Sequence, residues 1–216
     1  MIALESPSHK SVFPIPTIRS NRNAVAMAMT VHLDPRSDAA NAFQSLAGDL
    51  LPPGVVAITA ESQGKGCTTV ACNLALAAAK AGRSVLLIDA NLPRPILHRI
   101  FHLSDGSGLS ISNARAGRLE WLIQPTGVER LDVLCAAEPT NECVCDLPEF
   151  AAFLGRIRHR FDHVLIDAPP PAADALRGCC DRILLLKPAR GWSGKRRCET
   201  HIARHFAGKP NGLTIR

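Results

Sequence analysis

Residues 55–69 read VVAITAESQGKGCTT, an apolar β-branched run that passes through a glycine-spaced loop into an alanine-rich stretch. This order is that of a P-loop, in which backbone N–H groups and a helix N-terminus cradle phosphates while a Ser or Thr hydroxyl binds Mg²⁺. The pattern G-x-x-x-x-G-K-[ST] fits at Gly66 and Thr68. Glu61 replaces the first glycine and Cys67 replaces the phosphate-binding lysine. The stretch therefore predicts a nucleotide-binding loop that lacks its main cation.

The composition narrows the class of protein. The 216 residues are 46% hydrophobic and 20% charged, the balance of one globular domain. Aromatic residues make up only 4%, so the stacking platforms of single-stranded nucleic-acid binders are mostly missing and no nucleic-acid partner is expected. No stretch reaches the ~20 apolar residues of a membrane span, and no signal peptide is recognisable. A cytoplasmic protein with eight reduced cysteines is the expectation.

The order of predicted elements indicates the fold. Residues 1–32 are rich in Pro, Ser and Asn and predict a flexible arm, which leaves residues 33–216 for a single domain. Strands are predicted at 55–59, 84–89, 131–134, 163–167, 183–186 and 212–215. Helices are predicted at 39–51, 68–81, 118–123, 149–160 and 196–206. Alternating strands and helices predict an α/β fold with a mostly parallel sheet and helices on both faces, with ligands at the carboxyl ends of the strands.

Two of the predicted strands end in an aspartate. Asp89 closes the run SVLLID, and Asp167 closes HVLID. Together with the Thr68 hydroxyl, these carboxylates offer the hard oxygen ligands that Mg²⁺ prefers. The alternative is that both acids only punctuate the strands and lie solvated at the edge of the sheet. Their placement beside a P-loop favours a metal site.

The run SVLLIDANLPRP at 84–95, followed by LHRIF at 97–101, resembles the second acidic motif of the bacterial tyrosine autokinases. The strand of that family that ends in D-x-P-P is matched by VLIDAPP at 164–170. Members of the family are P-loop relatives of the Min and Par ATPases and serve membrane chain-length regulators in capsule and exopolysaccharide export. The resemblance covers roughly residues 33–216. It implies a P-loop NTPase-like fold, ATP and Mg²⁺ as cofactors, and a place at the inner face of the cell membrane.

The resemblance also implies a set of site residues. Asp89 and Asn91 occupy the catalytic positions of the acidic motif, the second in degenerate form. Thr68, Asp89 and Asp167 are the expected metal ligands. The nucleotide-binding positions of the loop are Gly64, Lys65, Gly66, Cys67, Thr68 and Thr69.

The chain departs from the family pattern at each of the main functional positions. Cys67 stands at the lysine position, and Asn91 replaces the second acid of the D-x-D pair. The E-x-x-R-x-x-R helix that closes family members into a ring falls on Asn41, Gln44 and Ala47, and the chain contains no tyrosine to phosphorylate. These departures predict a pseudoenzyme with weak or lost binding of ATP and Mg²⁺. Its expected role is to regulate a membrane chain-length regulator and to reach the membrane only through that partner.

Two other functions stay open. An active ATPase or protein-tyrosine kinase acting on another protein would need a substitute cation, and Lys65 is the candidate, although the usual loop path points this side chain away from the phosphates. Cys67 offers little, because a neutral thiol is a weak donor and a thiolate, which a helix N-terminus would favour, repels phosphate. A Min/Par-like positioning ATPase is disfavoured by Ser62, where such proteins carry a lysine.

Cysteine, histidine and basic residues raise two further hypotheses. Zinc is not expected, because the cysteine pairs lack C-x₂₋₄-C spacing and the third group offers three ligands on one predicted helix. These groups are Cys143 with Cys145, Cys179 with Cys180, and Cys198 with His201 and His205. The basic stretch 187–204, centred on Lys195, Arg196 and Arg197, is a solvated face or a surface for an anionic membrane or the tail of a membrane partner.

Overall fold

The computed structural model describes residues 24–50, 53–104, 107–170, 172–188 and 200–206. Its strands are β1 (Gly54–Ala60), β2 (Val85–Asp89), β3 (Gln124–Pro125), β4 (Leu131–Leu134), β5 (His163–Asp167), β6 (Arg182–Pro188) and β7 (Thr200–Phe206). Its helices are α1 (Ala24–Ala28), α2 (Thr30–Leu33), α3 (Asp38–Leu50), α4 (Cys67–Lys80), α5 (Leu97–Ile100), α6 (Ile111–Arg115), α7 (Pro148–Ile157) and α8 (Ala173–Leu176). Leu119–Leu122 and Val144–Asp146 are 3₁₀ helices.

The described strands form one seven-stranded sheet in the order β3-β4-β2-β5-β1-β6-β7. The five inner strands are parallel, whereas β3 and β7 pair antiparallel at the two edges. In the pairing of β2 with β5, Asp89 lies directly opposite Asp167. The mostly parallel α/β sheet predicted from the sequence is confirmed, and its register brings both strand-ending acids to the carboxyl edge.

Apolar side chains cover both faces of the sheet, as the β-branched strand sequences require. Along β1, Val56 and Ile58 pack against the side that carries α1 to α5, and Val55 and Ala57 pack against the side that carries α6 to α8. Helix α4 packs across β1, β2 and β5 on the first side, and its alanines are buried. Gly82 follows it with φ +82°, the left-handed conformation that ends helices at glycine.

The N-terminal part of the described chain is folded onto α4, so the prediction of a flexible arm is wrong from residue 24 onward. Residues 24–33 form α1 and α2, and Ala28 and Val31 are buried in the core. The fully buried Asn73 of α4 accepts a hydrogen bond from the Val31 N–H at 2.9 Å and donates one to the Met27 carbonyl at 2.8 Å. The segment, AVAMAMTVHL, is apolar, so it packs on α4 while the buried Asn73 amide satisfies its backbone.

The C-terminal helix predicted at 196–206 is also wrong, because Thr200–Phe206 forms β7. Strand β7 pairs antiparallel along the whole of β6. An uncovered edge strand presents a row of backbone donors and acceptors, and a segment with β-branched residues such as Thr200 and Ile202 is suited to pair with it. The hypothesis that Cys198, His201 and His205 share one helical face fails with the helix. The predicted strand at 212–215 and the basic triplet 195–197 lie outside the described residues.

Smaller differences concern α3 and the lengths of helices. The helix predicted at 118–123 is a 3₁₀ helix, and α7 ends at Ile157 rather than at residue 160. Of the three positions that correspond to the family's ring helix, Asn41 and Gln44 are exposed on α3, whereas Ala47 is buried in the chain's own core.

None of the helices in the described ranges is long and apolar enough to cross a membrane.

We predict that Asn73→Ala destabilises the fold, because the Val31 N–H and the Met27 carbonyl lose their buried partner. The free energy of unfolding should fall by about 1–3 kcal/mol, the usual cost of a buried unsatisfied group. Urea denaturation followed by circular dichroism measures it. Gln44→Ala, on the exposed face of α3, is the control and should change stability by no more than ~0.5 kcal/mol. Equal stability of the two variants would contradict the proposed anchoring.

Candidate nucleotide site

The loop after β1 has the backbone of a phosphate cradle. Gly64 and Gly66 have φ values of +75° and +85°, conformations that a residue with a Cβ atom adopts only at a cost. Helix α4 begins at Cys67, directly after the second glycine. The first N–H groups of the helix therefore lie next to the loop without intrahelical partners, as an anion-binding helix N-terminus requires. The predicted P-loop conformation is present even though the sequence motif is incomplete.

Asp89 is completely buried at the end of β2. Its Oδ2 accepts hydrogen bonds from the backbone N–H groups of Ile96 and Leu97 at 3.0 and 3.1 Å, which fixes the start of α5. Its Oδ1 has no hydrogen-bond partner in the described part of the chain. Burial raises the pKa of this carboxyl to about 6, against the lowering effect of its backbone hydrogen bonds.

Asp167 is completely buried beside it at the end of β5. The Thr68 hydroxyl donates a hydrogen bond to Asp167 Oδ2 at 2.6 Å, which joins the P-loop helix to the sheet. Burial and the neighbouring charge of Asp89 raise the pKa of Asp167 to about 8, and Oδ1 again has no partner among the described residues. The two acids are therefore not solvated at the sheet edge, so the alternative in which they merely end their strands in solvent is wrong.

The donor set formed by Asp89, Asp167 and Thr68 fits a divalent cation. Two buried carboxylate oxygens without partners and one hydroxyl are hard oxygen ligands of the kind that Mg²⁺ takes. The charge of the cation would also offset the burial that raises both pKa values, and the repulsion from Asp89 that adds to the shift at Asp167. When bound, Mg²⁺ neutralises charge on the phosphates of a nucleotide. We expect the glycine loop and the start of α4 to hold those phosphates.

Cys67 occupies the first position of α4 and is half-buried. Burial, together with the nearby Asp167, raises the pKa of its thiol to about 12. The sequence-based expectation that the helix N-terminus would favour a thiolate is wrong here, because burial and the neighbouring acid outweigh the helix. At neutral pH this position therefore carries an uncharged side chain and supplies no cation to a phosphate.

A cavity of about 570 Å³ opens over the loop. All six loop positions predicted to bind nucleotide line it, Lys65 included, and so does Asn91. The wall also contains residues outside the predicted site, which come from the segment after β2, from α1 and from the turn after β5. These residues include Arg94, Arg99, Met27, Ala28, Ala168 and Pro170. The position of Arg94 and Arg99 just after a strand-ending acid was the available signal for them.

The remaining candidate ligands do not form a metal site in the described structure. No group of three or more His, Cys, Asp or Glu side chains within the described ranges is arranged to hold a metal ion. Cys143 with Cys145 and Cys179 with Cys180 lie on the face of the sheet opposite α4. They take no part in the nucleotide cavity.

The inner strands of the sheet are parallel, a glycine loop follows β1, and paired acids end β2 and β5. This combination defines a protein of the P-loop NTPase fold. The chain is 30% identical to the tyrosine-protein kinase YwqD of Bacillus subtilis over 165 residues, which are 73% of this chain and 68% of that protein. It belongs to the bacterial tyrosine kinase family. No established protein-family profile matches it.

Two further similarities agree with this assignment. The tyrosine-protein kinase CpsD of Streptococcus pneumoniae is 28% identical over 158 residues, which are 70% of this chain and 68% of that protein. The crystal structure of the chimerical protein CapA2B2 superposes with a TM-score of 0.65 at 26% identity, covering 73% of this chain and 75% of the other. The resemblance stated from the sequence motifs is thereby confirmed.

The two buried acids predict that the metal-free protein is most stable at acidic pH. Their folded pKa values lie above those of the unfolded chain, so the stability present at about pH 4 is lost as the pH rises through about 6 and about 8. Melting temperatures measured in a chelator should therefore fall across this window, by the equivalent of roughly 3 kcal/mol or more. Asp167→Asn should flatten the profile, and the exposed Glu129→Gln should not. A melting temperature that rises with pH would contradict the assignment.

Proposed function

We propose that this chain is a degenerate bacterial tyrosine kinase that acts in capsule or exopolysaccharide biosynthesis as a regulatory partner of a membrane chain-length regulator. It binds ATP and Mg²⁺ weakly or not at all. The observation that carries the proposal is the neutral, half-buried thiol of Cys67 at the position of the family's lysine. Phosphoryl transfer depends on positioned positive charge, and a neutral thiol offers only a weak hydrogen bond.

Two other departures point the same way. Asn91 lines the cavity where the family has an acid, and it keeps the shape of an aspartate without the basicity needed to accept a proton. The chain has no tyrosine, so it cannot phosphorylate itself on that residue. The cation, the second acid and the internal substrate are thus missing together. This is the pattern of a protein whose role is to bind a partner through its surface rather than to catalyse a reaction.

The partner is inferred from the family, whose members serve membrane chain-length regulators. We propose that the chain works at the inner face of the cell membrane through such a protein. The basic stretch around Lys195, Arg196 and Arg197 remains the predicted contact surface, since an anionic tail or membrane would be attracted to it. It lies outside the described residues.

A second candidate function is an active kinase or ATPase with a relocated cation. It is favoured by one observation, which is that Lys65, Arg94 and Arg99 all line the cavity above the loop. None of the three has an ion-pair partner among the described residues. A guanidinium is a strong bidentate donor to phosphate, so either arginine could supply charge that Cys67 cannot.

We predict that ATP·Mg²⁺ binds more weakly than ~100 μM, because the backbone cradle is present and its cation is not. Cys67→Lys should tighten binding by about tenfold or more, and isothermal titration calorimetry measures both constants. Cys67→Met is the matched control, since it adds a side chain of similar length without charge. A low-micromolar constant for the unaltered protein would contradict the prediction. Lys65→Ala and Arg99→Ala would then identify the substitute cation.

We predict that polysaccharide export survives the loss of the metal site but not the loss of the contact surface. In a deletion strain, Asp167→Asn should restore export nearly fully, since it removes a charged metal ligand but leaves an amide oxygen that can accept the Thr68 hydrogen bond. Charge reversal at Lys195, Arg196 and Arg197 should not restore it. Secreted polysaccharide is measured at matched protein abundance. If Asp167→Asn abolishes export at normal abundance, the regulatory proposal is wrong and the active kinase takes its place.

A further inference from the structure

One tryptophan stands out from the surface on the face of the sheet opposite the nucleotide cavity. Trp121 belongs to the 3₁₀ helix Leu119–Leu122, and it is 87% exposed. The leucines of this turn anchor it, since Leu119 is buried and Leu122 packs against the apolar cluster of that face. The indole is therefore presented on an anchored turn, and a partner that buries it gains a large apolar contact.

Exposed arginines surround this turn. The Trp121 N–H donates a hydrogen bond to the Arg118 carbonyl at 3.1 Å. Side chains three residues apart in a 3₁₀ helix lie one above the other, so the exposed Arg118 shares its side of the turn with Trp121. Helix α7 packs against the same turn, and its Arg156 donates a hydrogen bond from Nε to Glu120 Oε1 at 2.8 Å. Arg160 is exposed in the turn that follows α7. We call Trp121 with Arg118, Arg156 and Arg160 the tryptophan–arginine patch.

Positive charge exceeds negative charge on the surface of this patch. Glu120 is already held by Arg156, and its side chain is only 20% exposed. Asp132 of β4 is half-buried, and Arg160 opposes the rise that burial causes in its pKa. Neither Arg118 nor Arg160 forms a salt bridge with another described residue. The solvent-facing charges are therefore mainly guanidinium groups, which attract an anionic partner.

A protruding indole among guanidinium groups suits the surface of an anionic bilayer. Tryptophan is enriched at the membrane–water interface, where its amphipathic ring lies at the level of the headgroups, and basic residues near that surface are attracted to anionic lipids. Lipids rearrange around a side chain that protrudes, whereas a protein partner needs a matching pocket for it. An acidic protein segment is therefore the less favoured partner.

We propose that the tryptophan–arginine patch is a lipid-binding surface, which places Trp121 among the headgroups of an anionic membrane while Arg118 and Arg160 bind lipid phosphates. The proposal goes beyond the proposed function, because the chain then touches the membrane directly as well as through a partner protein. It is also separate from the basic stretch around residues 195–197, which lies outside the described residues.

Vesicle binding by the full chain tests the proposal. The chain contains two tryptophans, so Trp192→Phe leaves Trp121 as the only indole. Vesicles of equal parts phosphatidylglycerol and phosphatidylcholine should shift its fluorescence emission to the blue, because the indole leaves water. Vesicles of phosphatidylcholine alone should bind roughly tenfold more weakly or worse, and added salt should weaken binding to the anionic vesicles.

Matched variants, compared by vesicle sedimentation, assign the contact. Trp121→Ala should weaken binding about tenfold, because a large apolar contact is lost. Arg118→Gln and Arg160→Gln should each weaken it about fivefold. Two controls lie on the side of the sheet that carries α4 and should leave binding unchanged. They are Leu33→Ala, at a leucine that is 58% exposed, and Arg36→Gln, at an exposed arginine.

Charge reversal at Lys195, Arg196 and Arg197 separates this proposal from the proposed function. It should leave the blue shift of Trp121 in place even where it prevents polysaccharide export. If the shift disappears with this reversal, the other basic stretch carries the membrane contact and the proposal is wrong.

Other results would also overturn the proposal. One is an unchanged emission spectrum when anionic vesicles are added to protein that circular dichroism shows to be folded. Another is a Trp121→Ala variant that sediments with the vesicles as well as the unaltered chain does. A third is a polyglutamate peptide that produces the blue shift when the vesicles do not, which would make an acidic protein segment the partner.

Discussion

The side-by-side burial of Asp89 and Asp167 is the constraint on which the site depends. Strand β5 lies between β1 and β2, so its last residue, Asp167, lies opposite Asp89 of β2 on one side and Ile58 of β1 on the other. The hydrogen bond from Thr68 to Asp167 then fixes the P-loop helix against this edge. Two buried acids with raised pKa values cost stability, and a fold that keeps them in place retains the framework of a cation site.

The shape of the phosphate-binding loop and the charge of this site are determined by different parts of the sequence. Strand register, two left-handed glycines and the start of α4 build the cradle, and all of these are backbone features. The charge depends on single side chains, and Cys67 replaces one of them without disturbing the helix it begins. A protein of this family can therefore lose its main phosphate cation while keeping the family's fold.

The sequence predicted those features that have a local cause. The continuous apolar runs of β1, β2 and β5 could only be buried strands of a parallel sheet, and Gly82 marked the end of α4. Features with a tertiary cause were missed. The short helices α1 and α2 depend on the buried amide of Asn73, and β7 depends on the open edge of β6. No spacing rule indicates either partnership.

In the candidate site too, features with a local cause were predicted from the sequence and features with a tertiary cause were not. The motif identified the loop residues and both acids, because strand ends and glycine spacing can be recognised from the order of residues alone. It could not show that the acids are buried or that burial keeps the Cys67 thiol protonated, since both depend on the surrounding packing. Nor could it place Arg99 and α1 in the cavity wall.

The attachment of α1 has a mechanical consequence. Met27 and Ala28 line the nucleotide cavity, and Asn73 ties the Met27 carbonyl to the P-loop helix. The chain thus enters the domain at the rim of its own cleft. Any partner that grips the polypeptide ahead of residue 24 pulls on a segment whose first buried anchor belongs to α4. Tension applied there would act on α4, the helix that begins at the phosphate cradle, and on α5, which α1 also contacts.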